Sequence, residues 1–181
     1  MHPDAETLLS KYPDIEMVEA FITDCNGAAR GKWLPIEKLS ALLSAGIKLP
    51  KSAIAQDAWG RDVPSVALDN GDIDGWCQAI PGSLKPVLGS HSVDQAQVVL
   101  TMFKDNGSPL LSDPRQVLAH VTQALETKGF YPRVAIELEF NLFDRQTAGQ
   151  SLRDALPAPH QTGGNLYGST AHDEHQAFLE A

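Results

Sequence analysis

The sequence predicts an α+β chain, in which a small mixed sheet with a helix laid across it is followed by the start of a second unit. Three observations carry this. An Asn-Gly hairpin signal, Asn26-Gly27, lies between two strand-like runs. A helical apolar stripe follows it directly. A β-prone run then returns at Gln97–Phe103. Two hairpins and one crossover helix make a β-grasp-like unit over residues 1–106, with residues 107–181 beginning a second domain.

Each element has a local reason. Ala5 to Tyr12 reads as a short helix that stops before Pro13. Met17–Thr23 is rich in β-branched and aromatic residues and runs into Asp24-Cys25-Asn26-Gly27, where the last two residues tolerate positive φ. A return strand through Ala29 to Leu34 completes the hairpin. Pro35 suits the first position of a helix, Ile36, Leu39, Leu42 and Leu43 share one helical face, and Gly46 is a C-terminal cap. Lys48 to Pro86 reads as loops with short strands. The strand at Gln97–Phe103 is closed by the turn Asp105-Asn106-Gly107.

The second unit opens with Asp113 as a helix cap and Pro114 at its first position. Val117, Leu118, Val121 and Leu125 form an apolar stripe, and Gly129 stops the helix. A strand is expected from Arg133 to Phe143, then a long polar loop from Asp144 to Asn165, then a helix start from Thr170 to Ala181. One helix, one strand and a helix start cannot bury a core alone. The sequence is therefore read as the N-terminal part of a longer protein.

Composition narrows the function. The 181 residues are 43% apolar and 20% charged, ordinary values for a globular chain. No apolar run reaches the ~18 residues of a membrane span, and acidic residues stand where a signal peptide would be basic. Two cysteines are too few for a disulfide framework, so a reduced, cytoplasmic setting is expected. A formal net charge of −9 argues against nucleic acid and against an anionic membrane surface as partners.

The most informative segment is Val134-Ala-Ile-Glu-Leu-Glu-Phe-Asn-Leu-Phe143. On a strand, Ile136, Leu138, Phe140 and Leu142 share one face, read as core, and Glu137 and Glu139 share the other. Two carboxylates ~7 Å apart repel unless a cation or water lies between them. A solvated polar face is the commoner origin of such a pair. Phe143 on the same side points instead to a lined cleft, and oxygen-only ligands suit Mg²⁺ or Mn²⁺.

These residues resemble the E-x-E strand of glutamine synthetases, and more closely that of γ-glutamylpolyamine synthetases. The stretch Thr23-Asp-Cys-Asn-Gly-Ala-Ala-Arg-Gly-Lys32 is similar to the family's D-x-N-G-x-x-R-G-K hairpin. Ala53-Ile-Ala-Gln-Asp-Ala-Trp-Gly60 is similar to its loop ending in D-x-x-G. Leu100–Pro109 and Asp113–Leu118 match in order and spacing. Each motif alone is weak; five in the right order are specific.

The resemblance implies a β-grasp domain followed by the start of a glutamine-synthetase catalytic domain. It implies an ATP-dependent ligase that joins the glutamate γ-carboxylate to ammonia or an amine through γ-glutamyl phosphate. Active sites would lie between subunits of a homo-oligomeric ring. Glu137 and Glu139 match two ligands of the divalent metal, Mg²⁺ or Mn²⁺, with ATP as co-substrate. Asp57 matches a loop aspartate that reaches the amine site of a neighbouring subunit, a catalytic role in which a carboxylate favours a cationic amine and helps take its proton, against the plainer reading of an aspartate capping its own turn. Tyr167 matches a tyrosine near the same pocket, against a surface tyrosine.

Other candidates are weaker. Arg30 and Lys32 could meet an anion but read first as a solvated or interface-facing pair, and Trp33 stands where relatives often carry a basic residue. His172 and His175 have a spacing a metal can use on a helix, but no cysteine or carboxylate constellation surrounds them, and they read as a solvated face. His120 reads as solvent-facing. The rival to the enzyme is a stand-alone β-grasp binding or assembly module without catalysis. Glu137 and Glu139 favour the enzyme, because such a module has no use for them. The later ATP-contacting segments and remaining metal ligands of the family have no counterpart in these 181 residues, so catalysis by this piece alone is not expected.

Overall fold

The structure, a computed structural model, describes residues 1–63, 73–87, 94–137 and 139. It divides into two units, Met1–Pro132 and Arg133–Ala181, each taken by itself below.

In the first unit, α1 spans Pro3–Lys11, β1 Met17–Thr23 and β2 Ala29–Pro35. A 3-10 turn at Ile36–Lys38 leads into α2, Leu39–Ala45. Then come β3 Ile47–Pro50, a second 3-10 turn at Lys51–Ile54, β4 Asp74–Ala79, β5 Lys85–Pro86, β6 Gln95–Phe103 and the helix α3, Pro114–Glu126. Among the described residues the sheet has six strands, in the order β2-β1-β6-β4-β3, with β5 also paired to β6. β1 and β6 are parallel and the other pairs antiparallel, so the sheet is mixed as expected.

Alternation decides which face becomes core. Val18, Ala20 and Ile22 of β1 and Ala96, Val98, Leu100 and Met102 of β6 are fully buried. Ala5 and Leu8 of α1, Leu39 and Leu42 of α2 and Ile54 join them in one cluster. The helix read from Pro35 to Gly46 appears as the 3-10 turn plus α2, with Gly46 at positive φ closing it. Gly31 stands opposite Phe21, where a Cβ would run into the backbone of Ala20 and Phe21, so β2 can approach β1 only as glycine.

The helix α3 is tied to the sheet by one buried carboxylate. Asp113 caps the helix by accepting from the N–H of Arg115 at 2.8 Å. Its other oxygen accepts from Thr101 Oγ1 at 2.8 Å and from the N–H of Met102 at 2.6 Å, just past the last register pair of β1 with β6. Gln116 Nε2 adds a bond to Thr101 Oγ1 at 3.0 Å. Beyond this anchorage the helix is open: Val117, Leu118 and Val121 of the predicted stripe are exposed.

In the second unit one expectation fails. Residues 133–137 and 139 form no strand, and Ile136, expected in the core, is 84% exposed, with Val134 at 88%. Alternation makes a segment able to be a strand, but a ladder needs a partner, which alternation alone does not supply. Leu138, Phe140, Leu142 and Phe143 lie outside the described residues, as do the loop from Asp144, the helix start from Thr170, Tyr167, His172 and His175.

Candidate functional site

The first unit builds its polar chemistry at the β1–β2 turn. Asp24 ends the hairpin's first strand with its side chain buried. One oxygen accepts from the N–H groups of Asn26 and Ala28, both at 2.8 Å, and the other from Arg30 Nε at 2.9 Å. Gly27 takes positive φ at the tip. Burial pushes the Asp24 carboxyl up, but the Ala28, Arg30 and Asn26 hydrogen bonds and the Arg30 charge together hold it below its usual value. Arg30 is thus half of an ion pair with a buried carboxylate, a correction to the solvated role expected for it. Lys32 reaches the carbonyl of Lys48 at 3.4 Å.

The second polar centre is the loop that carries Asp57. Residues 55–63 fold back on themselves. Val63 N–H donates to the Ala55 carbonyl, Asp57 N–H to Arg61 and Gly60 N–H to Asp57, with a bridge between Gln56 and Asp62. Asp57 fastens this turn with its side chain. Oδ1 accepts from the N–H groups of Trp59 at 2.9 Å and Arg61 at 3.0 Å, and Oδ2 from Arg61 Nε at 2.8 Å. The Arg61 backbone bond first, with the Arg61 side chain and the Trp59 N–H, outweighs desolvation and holds the Asp57 carboxyl below its usual range. Arg61 lies over the Trp59 ring at 5.1 Å from its centroid, and that indole is 79% exposed.

The turn-capping alternative for Asp57 is therefore the observed geometry. It leaves an ionised carboxylate 26% exposed, with its Arg61 partner 71% exposed. Such a surface pair is screened by solvent, adds little to stability and leaves the carboxylate open to another cation. The carboxylate is suited to attract a cationic ligand and, held anionic, poorly suited to take up a proton.

The two centres touch. Asn26 Nδ2 donates to the carbonyls of Gln56 at 3.0 Å and Asp57 at 3.1 Å. Sequence reading missed this contact, since thirty positions separate the partners; the available signal was the Asn in the D-x-N-G stretch.

Glu137 and Glu139 belong to the second unit and are exposed. Their oxygens are the hard donors that Mg²⁺ or Mn²⁺ takes, so the donor type fits a divalent ion. Two carboxylates are too few to complete its shell. Among the described residues, no cluster of three or more His, Cys, Asp or Glu side chains could hold a metal. The two cysteines are free; burial first, then the negative charge of Asp113, pushes the Cys77 thiol up to about 12, so it does not act as a nucleophile at neutral pH.

The mixed sheet with its helices is a glutamine-synthetase-like fold. The structure titled "GmaS/ADP complex-Conformation 1" superposes on 99% of this chain with a TM-score of 0.68, at 19% identity and over 37% of that chain. The family described as "Glutamine synthetase, catalytic domain" matches residues 111–181. The chain is 37% identical over 158 residues to the γ-glutamylputrescine synthetase PuuA of Escherichia coli (strain K12), covering 86% of this chain and 33% of that protein. It is 29% identical over 134 residues to the γ-glutamylethanolamide synthetase GlnA4 of Streptomyces coelicolor, covering 72% of this chain and 29% of that protein. The chain belongs to the glutamine synthetase family, as its ordered motifs led us to expect. It spans about a third of the length of the curated relatives it matches. Among the described residues no helix is long and apolar enough to cross a membrane.

Proposed function

We propose that this chain is the N-terminal part of an ATP-dependent ligase that joins the glutamate γ-carboxylate to an amine or ammonia. The observation that carries this reading is the 37% identity to a γ-glutamylputrescine synthetase, which extends over 86% of the chain. In the proposed sequence, a γ-carboxylate oxygen of glutamate takes the γ-phosphoryl group of ATP and ADP leaves. The amine nitrogen then attacks the γ-carbonyl carbon, and phosphate and a proton depart.

Asp57 is given the amine. Its carboxylate is held anionic by the turn it closes, and an ammonium group competes with Arg61 for it. The work assigned to it is charge attraction; removal of the proton falls to another group, since a carboxylate held below its usual range is a weak base. Tyr167 is assigned to the same pocket by the motif alone. Glu137 and Glu139 would hold a divalent ion, Mg²⁺ or Mn²⁺, which supplies neutralisation of the charge on the transferring phosphoryl group. The domain reading accompanies this. Residues 1–106 form a β-grasp-type domain and residues 107–181 begin the catalytic domain, in agreement with a family match that starts at residue 111. A cytoplasmic homo-oligomeric ring is the assembly proposed for the whole protein.

The test is ADP release by the full-length protein with glutamate and a set of amines at saturating Mg²⁺. Turnover with an amine is expected, and no turnover with ammonia or any amine would favour a binding module. Glu139→Ala is expected to lower turnover by at least about tenfold, the scale on which even the outer partners of metal ligands act. Its thermal stability should stay within about 0.5 kcal/mol, because the side chain is exposed. Wild-type turnover in that variant would remove Glu139 from the metal site.

A further inference from the structure

We infer that Asn26 is a positioning residue: from the turn of the β1–β2 hairpin its carboxamide fixes the loop that carries Asp57, and so sets the affinity of the site for its amine. The inference rests on the amine-binding reading of Asp57 given above.

Two carbonyls can be met only by a donor, so the carboxamide nitrogen, not its oxygen, faces Gln56 and Asp57. That nitrogen spends both hydrogens on consecutive carbonyls of the loop. One of them belongs to Asp57 itself, which ties the backbone at the root of the functional side chain. Asn26 is in turn held from behind. Its own N–H is bonded to Asp24, which is buried and paired to Arg30. A chain of direct contacts thus runs from the sheet, through Asp24 and Asn26, to the Asp57 carbonyl.

The loop needs such a tether. Its internal hydrogen bonds close the turn on itself but do not fix where the turn stands relative to the sheet. Asn26 joins Gln56 and Asp57, beside the buried Ala55 at the foot of the turn, to the hairpin and so gives the closed loop a second point of attachment. A carboxylate that attracts a cation by charge is sensitive to that placement, since the interaction weakens with distance and with access to water. The glycine that follows, Gly27 at positive φ, lets the turn present the Asn26 side chain without strain of its own.

Asn26→Ala separates this role from a structural one, because the alanine keeps the backbone N–H that Asp24 holds and the hairpin turn stays closed. In the full-length protein, Asn26→Ala is expected to raise the amine KM about tenfold, the scale of one or two lost hydrogen bonds, with the KM values for ATP and glutamate unchanged. Asn26→Asp, which turns an acceptor toward the two carbonyls, should raise it further. Hydrogen exchange at the Trp59 and Arg61 amides should quicken in both variants without ligand, while the melting temperature holds. Asp57→Asn is measured beside them. An Asp57→Asn variant with a wild-type amine KM overturns the amine-binding reading, whereas the exchange arm still decides the tether. If Asp57→Asn raises the amine KM and Asn26→Ala leaves it unchanged, the positioning role is overturned. Unchanged exchange at Trp59 and Arg61 overturns the tether itself.

Discussion

The β1–β2 turn with the Asp57 loop and the stretch from α3 to Glu139 handle their side chains in opposite ways. In the first, the carboxylates are occupied: Asp24 accepts from Asn26, Ala28 and Arg30, and Asp57 from Trp59 and Arg61. In the second, Leu118 is 65% exposed, Ile136 more so, and Glu137 and Glu139 face solvent. The first region specifies its own geometry within the unit Met1–Pro132. On α3, Val117, Leu118 and Val121 have the composition of an interior and the exposure of a surface, the combination that marks a contact face. The hinge between the two behaviours is Asp113, which belongs to the sheet through Met102 and to the helix through Arg115.

Asp113→Ala should have the largest effect on stability. It removes a helix cap, worth about 1 kcal/mol, and leaves the Met102 N–H without its acceptor, a further ~1–3 kcal/mol. Urea unfolding of this chain should therefore lose about 2–4 kcal/mol; a loss below about 1 kcal/mol would mean that α3 is not anchored as described. Asp24 comes next. Its carboxyl is ionised above its ordinary value near 3.8 in the unfolded chain and remains ionised lower still when folded. Its contribution is fully present above about pH 4 and drains away as pH falls through the folded value. Asp24→Asn should flatten that part of the stability–pH curve and cost about 1–3 kcal/mol at pH 7. A melting series with the wild-type slope below pH 4 would break the assignment. The smallest effect is expected at Leu118→Glu, within about 0.5 kcal/mol, because the side chain has little to lose. The same change should reduce self-association in light scattering if the stripe is a contact face. A loss of 2 kcal/mol or more would show that the helix packs against something in the isolated chain.

Much of the first unit was legible because its signals are local. Met17–Thr23 is a strand with the bounds read from its β-branched and aromatic residues, and Gly27, Gly46 and Gly107 turn the chain where Asn-Gly and C-capping logic put them. Asp113 and Pro114 mark the start of α3 by the same kind of short-range chemistry. The strand at Arg133 was not legible, because alternation reports a face and says nothing of a partner strand. For the candidate site, a motif names Asp57, with self-capping beside it as the plainer alternative; the self-capping is what the geometry shows, and the amine role is the proposal made for the same carboxylate. The Asn26 tether escaped because side-chain reach across thirty residues leaves no periodic trace in the sequence.

The place of β6 has a further consequence, for the order in which this chain becomes a protein. The strand is the last of the six in sequence yet lies between β1 and β4, pairing with the one in parallel and the other antiparallel. During synthesis the β1–β2 hairpin emerges early, but one edge of β1 stays bare until residues near 100 are made. Val18, Ala20 and Ile22 wait as long for Ala96 and Val98 beside them. Closing the sheet is thus a long-range, late event, with the entropic cost and slow kinetics of non-local pairing. Any delay before β6 arrives leaves an apolar open edge available to other nascent chains.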